Sequence, residues 1–189
     1  MVDNMKEKIA HHARSLFDRH GFHGAALREV CALAGCKMPT IYYYYGNKEK
    51  LFDEVVRVAF EELQQNLWAQ LPKDVSSQEY DTLMVIQKKN LSKEEWIIYR
   101  LAMKTWMGFD GGKETRRRMK AWEQHIYDTS KKKYADAVNT QREAKFIARH
   151  ITALIQRIIL MDEDVSDDEI REEVAMIFNA ATHSDIKTN

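Results

Sequence analysis

Residues 27–48 read LREVCALAGCKMPTIYYYYGNK, and the spacing of their apolar and helix-stopping residues decides the fold of the head. Leu27, Val30, Cys31 and Ala34 recur at helical spacing, and Gly35 follows where a glycine commonly ends a helix. A second short helix is predicted from about Met38. Pro39 suits its first turn, where the missing N–H has no intrahelical acceptor to lose, and Gly46 closes it. Two short helices joined by Ala34-Gly35-Cys36-Lys37 form a helix-turn-helix. The second helix of such a unit enters the major groove, and its N-terminal residues meet base edges. Lys37, Met38, Pro39 and Thr40 are therefore the candidate reading residues, with Arg28 beside them at the start of the first helix. Successive helical residues turn by about 100°, so the four tyrosines 42–45 cannot all face inward. Tyr42, Tyr43 and Tyr44 suit the DNA backbone, because a phenol donates to phosphate while its ring packs on sugars. Tyr45 is the expected core aromatic. Asn47 is a plausible N-cap, and Lys48 behind it combines its charge with helix N–H groups that favour a phosphate.

Outward from this unit the chain reads as helix throughout. Met5, Ile9, Ala13, Leu16 and Phe17 form a first stripe over about residues 4–20, stopped at Gly21. Leu51, Phe52, Val55, Ala59, Phe60, Leu63 and Leu67 mark a long helix from 48 to 71, ended by Pro72. Further helices are expected near 76–90 and 92–107, the latter opened by a Ser92/Glu95 capping-box pattern. Gly108, Gly111 and Gly112 make the clearest break of this half. Three more helices follow near 113–138, 142–161 and 166–182, the last after Asp162-Glu163-Asp164 and a Ser166 cap. The expected fold is all-α with about nine helices, in keeping with only 2 prolines and 7 glycines.

The 189 residues carry 29 Lys/Arg against 29 Asp/Glu, a net charge of zero. Residues 1–50 hold eight of the basic residues and five of the acidic ones, so a mildly basic head sits on a mildly acidic body, as suits a chain presenting one end to a polyanion. No stretch approaches the ~20 apolar residues of a membrane span, and the N-terminus lacks the pattern of a secretory signal. The cytoplasm is the expected compartment, where Cys31 and Cys36 would be reduced. The stronger reading of these two thiols is small core residues; a redox switch across the turn is the alternative. His11, His12, His20 and His23 form no metal-ligand pattern, since neighbours on a helix diverge and no cysteine or carboxylate completes a set. No histidine follows a glutamate at i+3, and HExxH, G-x-S-x-G and Walker A patterns are missing. Neither an enzymatic role nor a metal or cofactor is expected.

The helix near 142–161 is apolar on more than one face. Ile151, Leu154, Ile155, Ile158 and Ile159, with Val174, Ile177 and Phe178 of the following helix, are the expected homodimer interface, because burial on two sides explains the width of the stripe. The runs Arg116–Arg118 and Lys131–Lys133 read as solvated helix faces.

Ile9, Leu16-Phe17, Gly21-Phe22, Val30, Ala34-Gly35, Thr40-Ile41-Tyr42, the aromatic cluster to Tyr45 and Lys48-Glu49-Lys50-Leu51 match in register a pattern that resembles the N-terminal domain of TetR-family transcriptional regulators. The resemblance covers about a quarter of the chain. It implies a helix-turn-helix DNA-binding domain over 1–47 and a helical ligand-binding and dimerisation domain over 48–189, with helix 48–71 connecting them. It implies a homodimer on a palindromic double-stranded operator, released when a small effector binds, and repression as the output. Family members generally hold a small molecule in the C-terminal domain. By that resemblance Trp96, Tyr99, Met103, Trp106, Met107, Trp122 and Tyr127 would line a pocket for an apolar or aromatic compound. The chain departs from the pattern at Ala25-Ala26, where the family usually has a capping Ser or Thr, at Cys36, usually aliphatic, and in its four consecutive tyrosines. A helical adaptor that keeps the fold without operator binding is the alternative function.

Overall fold

A computed structural model describes residues 3–182, which contain nine helices and no strand. Helix α1 spans Asp3–Gly24, with Gly21 (φ 68°, ψ 173°) breaking its regular path, so the stop expected at Gly21 is a kink followed by one short turn. Then come α2 (Leu27–Ala34) and α3 (Met38–Tyr45). Helix α4 starts as Lys48–Asp53, loosens into a π-helical stretch at Glu54–Val58 and resumes as Ala59–Ala69. The rest are α5 (Ser77–Lys89), α6 (Lys93–Trp106), α7 (Lys113–Lys133), α8 (Gln141–Leu160) and α9 (Asp167–Thr182).

The helix starts are set locally. Asn47 accepts from the Lys50 N–H at 2.8 Å. Ser92 and Glu95 form the expected capping box, Thr140 and Glu143 form a second one, and Ser166 and Glu169 bond reciprocally at the start of α9. Such caps satisfy N–H groups that have no intrahelical acceptor. Helix α7 ends at Lys133, five residues short of the expected 138, and runs on as a turn in which the Val138 N–H reaches the Tyr134 carbonyl at 3.0 Å; Tyr134 opens that turn. Its ring is buried edge-on against Phe178, with centroids 5.7 Å apart.

The chain divides into two compact units, one of Met1–Gln65 with Ser92–Lys120 and one of Asn66–Leu91 with Ala121–Asn189. This division does not follow the 1–47/48–189 partition, because residues 92–120 pack with the head. In the first unit Ile9, Leu16, Phe17, Ile41, Leu51, Phe52 and Leu101 are fully buried. The Phe52 ring meets Phe17 edge-on at 4.9 Å and Phe22 at 5.1 Å. Arg100 forks onto the Asp18 carboxylate, and Lys104 lies 3.6 Å from it. The second unit is built from α5, α8, α9 and much of α7. Ile147, Ile151, Leu154, Ile159, Ile170 and Val174 fill its centre, and the fully buried Asp81 carboxylate is paired with Lys133 at 2.5 Å. Among the described residues no helix is long and apolar enough to cross a membrane.

Helix α2 begins without a cap. Ala26 holds the extended N-cap conformation (φ −94°, ψ 127°) and, having no side-chain acceptor, leaves the first N–H groups unsatisfied by any side chain. Ala26 is exposed, so a hydroxyl fits there. Ala26→Ser is expected to raise unfolding stability by about 0.5–2 kcal/mol, read as a higher urea midpoint at unchanged slope. An unaltered midpoint would mean that water already satisfies these donors fully.

Candidate nucleic-acid interface

The turn between α2 and α3 is held by backbone alone. Gly35 takes the left-handed conformation (φ 69°, ψ 36°), which residues with a Cβ adopt at a cost. Its N–H and that of Cys36 both reach the Cys31 carbonyl, the latter at 3.0 Å. Lys37 is extended (φ −109°, ψ 158°) and α3 begins beyond it with Pro39 in its first turn. Ile41 and Tyr45 point inward, and the Tyr45 hydroxyl donates to the Lys6 carbonyl at 2.9 Å. Burial, with a smaller contribution from the Glu54 charge, pushes the Tyr45 phenol up to about 12; it stays protonated and keeps its donor.

Anchored on that side, α3 presents the other. Tyr43 is 80% exposed and Tyr42 49%, with Tyr44 half-buried beside them at 5.1 Å from the Tyr43 ring. Arg28, Lys37 and Pro39 are exposed, and Thr40 is half-buried. Met38 is also half-buried, its sulfur 3.5 Å from the Cys31 thiol, so it belongs in part to the packing. The nine expected DNA-facing residues thus all belong to the first unit. Lys48 is more constrained than its sequence position suggested. Its ammonium reaches the His23 carbonyl at 3.4 Å and lies 5.0 Å from the centre of the Phe22 ring. Burial lowers its pKa and the Asp110 carboxylate opposes that shift.

The surprise of this region is the loop before α7. Asp110 accepts from the Phe22 N–H and from the Gly111 N–H, each at 2.7 Å. It thereby fastens the kink after Gly21, where a Cβ would come within 3.2 Å of its Oδ1. Glu49 of α4 accepts from the Glu114 N–H at 3.2 Å, placing a carboxylate at the N-terminus of α7, where the helix dipole favours it. Asp53 binds Arg57 bidentately, Thr115 at 3.2 Å and Arg118 at 3.3 Å. Gly111 (φ 92°) is required, since a Cβ there would sit 2.8 Å from Thr105 Cγ2 and 2.9 Å from the Phe52 ring. The sequence announced this loop only as a glycine-rich break; the partners of Asp110 and Glu49 lie 88 and 65 residues away.

The residues expected to line a pocket are distributed between the units. Tyr99, Met103 and Trp106 are buried in the first unit, and Trp96 is half-buried with the Arg100 guanidinium 4.0 Å from its ring. Tyr99 meets Phe60 edge-on at 5.1 Å and hydrogen-bonds Gln64. Met107 is 42% exposed and does not join them. It is the C-cap residue, where the chain leaves helical geometry for Gly108 (φ 85°), so the stripe of α6 ends before it. Trp122 and Tyr127 belong to the second unit. There Arg149 lies 5.5 Å from the Tyr127 ring, and burial pushes the Tyr127 phenol up to about 12. Ile151, Leu154, Ile155, Ile158, Ile159, Val174, Ile177 and Phe178, read from sequence as an interface between copies, are all buried within a single chain. The two-sided apolar width of α8 is taken up inside its own unit. Among the described residues no group of three or more His, Cys, Asp or Glu side chains is placed to hold a metal ion.

Residues 9–55 match the family model of bacterial regulatory proteins, tetR family. The HTH-type transcriptional repressor NicS of Pseudomonas putida is 36% identical over 55 residues, 29% of this chain and 26% of that protein. The biofilm operon icaADBC negative transcriptional regulator IcaR of Staphylococcus epidermidis is 34% identical over 56 residues, 30% of each chain. The chain is thus aligned to less than a third of the length of these relatives. Over nearly the whole chain the fold is similar to that of a TetR-like transcriptional regulator from Rhodococcus sp. RHA1, with TM-score 0.70 and 14% identity over 95% of this chain and 96% of that one. It is equally similar to AibR, solved in complex with isovaleryl coenzyme A and operator DNA, with TM-score 0.70 and 16% identity over 92% and 98%.

The Asp110 clasp makes a direct expectation. Asp110→Ala leaves the Phe22 N–H without its acceptor, which costs about 1–3 kcal/mol for a group that stays partly buried. The urea midpoint falls, and hydrogen exchange quickens at the Phe22 and Gly111 amides while the amides of α8 are unaffected. Unchanged exchange at Phe22 would show that water replaces the carboxylate at no cost.

Proposed function

We propose, from the match of residues 9–55 to the family model of bacterial regulatory proteins, tetR family, that the chain is a transcriptional regulator, a repressor, that binds operator DNA in the cytoplasm. The observation that carries the reading is the two-sided α3. Ile41 and Tyr45 fix it to the core, while Lys37, Thr40, Tyr42 and Tyr43 present hydrogen-bonding groups outward from a helix of the length that fits a major groove. Lys37 and Thr40 address base edges, the tyrosines and Lys48 the flanking phosphates. Two copies would place their α3 helices about 34 Å apart on a palindrome.

The second copy would dock on what α8 and α9 leave uncovered. Met176 is 68% exposed on α9, and Ala153 of α8 and Ala180 of α9 are exposed too. These small and flexible side chains would let helices of two chains approach closely. The response to an effector rests on the family reading and on the first unit's aromatic set, Trp96, Tyr99, Met103 and Trp106. Gln64, 2% exposed, keeps its Nε2 without a hydrogen-bond partner, and Thr105 Oγ1 is likewise unpartnered. Buried polar atoms of this kind are normally satisfied, and a small apolar or aromatic molecule with acceptor oxygens would satisfy them. Its binding would lower DNA affinity only through unequal affinity for two conformations. The Asp110, Glu49 and Asp53 contacts are the means by which a shift of residues 92–120 would reach the head.

Selection of sites from random duplex DNA by the purified full-length protein tests the reading; a palindromic site is expected, and failure to enrich any sequence would overturn it. Lys48→Ala is expected to weaken binding to all sequences about equally and to reduce the slope of log affinity against log salt by about 0.9, one phosphate contact. An unchanged slope would remove Lys48 from the interface. Met176→Glu combined with Ala180→Glu should yield monomers by light scattering at unchanged helicity, whereas polar residues at Ile155 or Ile159 would unfold the second unit. A dimer persisting in the Met176/Ala180 variant would place the interface elsewhere.

A further inference from the structure

The turn of the helix-turn-helix holds two thiols at a defined spacing. Cys31 lies four residues before the left-handed Gly35, in the last turn of α2, and Cys36 directly follows that glycine. In this type of helix ending, where the N–H after the glycine bonds back into the last turn, those two positions frequently bring their side chains together. Here both positions carry a thiol. The Cys36 N–H donates to the Cys31 carbonyl at 3.0 Å. With standard backbone dimensions, that bond keeps the two α-carbons no more than roughly 7 Å apart, at the span a disulfide bridges. Cys31 is buried and Cys36 half-buried, and both are free thiols.

We propose that Cys31 and Cys36 are a dithiol oxidation site, closed to an intramolecular disulfide by hydroperoxides, and that closure takes α3 out of its DNA-binding register. The chemistry balances with the peroxide as sole oxidant. The thiolate of Cys36, the more accessible sulfur, attacks one oxygen of the hydroperoxide. The O–O bond breaks, the alcohol leaves (water, for hydrogen peroxide), and Cys36 becomes a sulfenic acid. Cys31 then attacks that sulfur; the S–S bond forms, the S–O bond breaks, and water departs with the Cys31 proton. Two thiols and one hydroperoxide give one disulfide, one alcohol and one water, and two electrons pass from sulfur to oxygen. Burial, reinforced by Cys31, pushes the Cys36 thiol up. The thiolate fraction at neutral pH is small, and the site answers sustained oxidant rather than a trace.

The location supplies the consequence. Cys36 is joined directly to Lys37, and the Cys31 thiol also contacts the Met38 sulfur at 3.5 Å. Drawing the two sulfurs to a bond of about 2.05 Å breaks the Cys31–Met38 contact and pulls the segment from which α3 starts. The residues displaced, Lys37 to Thr40, are the ones that would read bases. The DNA part of the inference rests on the operator-binding reading; the thiol chemistry does not.

The full-length protein, reduced and then treated with hydrogen peroxide, is digested with trypsin after thiol blocking. Cleavage at Arg28 and Lys37 releases both cysteines in one peptide, 29–37. The expected product is that peptide two hydrogens lighter and unblocked, restored by dithiothreitol. Oxidation should also quicken hydrogen exchange over residues 37–45 of the free protein and weaken binding to the selected operator at least tenfold. Neither change should occur in Cys36→Ser or Cys31→Ala. Two blocked thiols after peroxide, or a disulfide with unchanged exchange over 37–45, overturns the proposal. If the reduced protein binds no DNA, the operator reading fails, while peptide mass and exchange still decide the switch.

Discussion

Phe52 is the contact on which the first unit depends. It is fully buried one turn into α4, edge-on to both Phe17 and Phe22 of α1, and its ring lies where a Cβ on Gly111 would collide. One side chain thereby joins α1, α4 and the loop before α7. An aromatic of this size buries 150–250 Å² in general, and edge-to-face pairs add about 0.5–1.5 kcal/mol beyond the area. Its position also fixes the start of α4, and so the place of Lys48 beside His23 and Phe22. The geometry of the charged surface is inherited from an apolar one.

Around this centre the head is tied to residues 92–120 by carboxylates. Asp18 holds Arg100 and Lys104, Glu49 caps α7, Asp53 holds Thr115 and Arg118, and Asp110 returns the contact by binding the Phe22 N–H. Exposed ion pairs contribute little each, with a median of about 0–1 kcal/mol. The bonds to backbone N–H groups differ, because they fix where helices and turns begin. Directional bonds of this kind accompany the packing of α6 and the first turns of α7, up to Lys120, in the same compact unit as the helix-turn-helix. For a protein proposed to couple an effector to DNA, they make the orientation of α3 depend on helices distant in sequence.

Much of this architecture was legible in residue order because local signals set it. Gly35, Pro39, Gly46 and Asn47 each stop or start a helix for reasons contained within a few residues, and α2, α3 and the start of α4 follow. The capping box at Ser92 and the missing cap at Ala26 were readable for the same reason. Where periodicity was asked to say more, it could not. A stripe tells which face of a helix is buried and is silent about what covers it. Ile155 and Ile159 therefore looked like an interface between chains and proved to be the interior of one. Met107 continued the stripe of α6 by count, but it is the last residue of helical geometry before Gly108 turns the chain away, and its side chain is exposed. Helix α7 stopped five residues before the expected end, and Tyr134 just beyond it packs on Phe178, a contact no local rule announces.

The sequence by itself determined the order and kind of the elements, the turn of the helix-turn-helix and the identity of the residues on α3 that face away from the core. Each of these follows from backbone chemistry within one or two turns: a glycine that tolerates positive φ, a proline without an N–H, a side chain that caps. Only the tertiary structure decided that residues 92–120 pack with the head, that Asp110 clasps Phe22 across 88 residues, and that Lys48 is held by His23 and Phe22. Those relations arise from contacts between segments whose meeting is set by the burial of Phe17 and Phe52 against the half-buried Phe22, and burial is a property of the assembled chain.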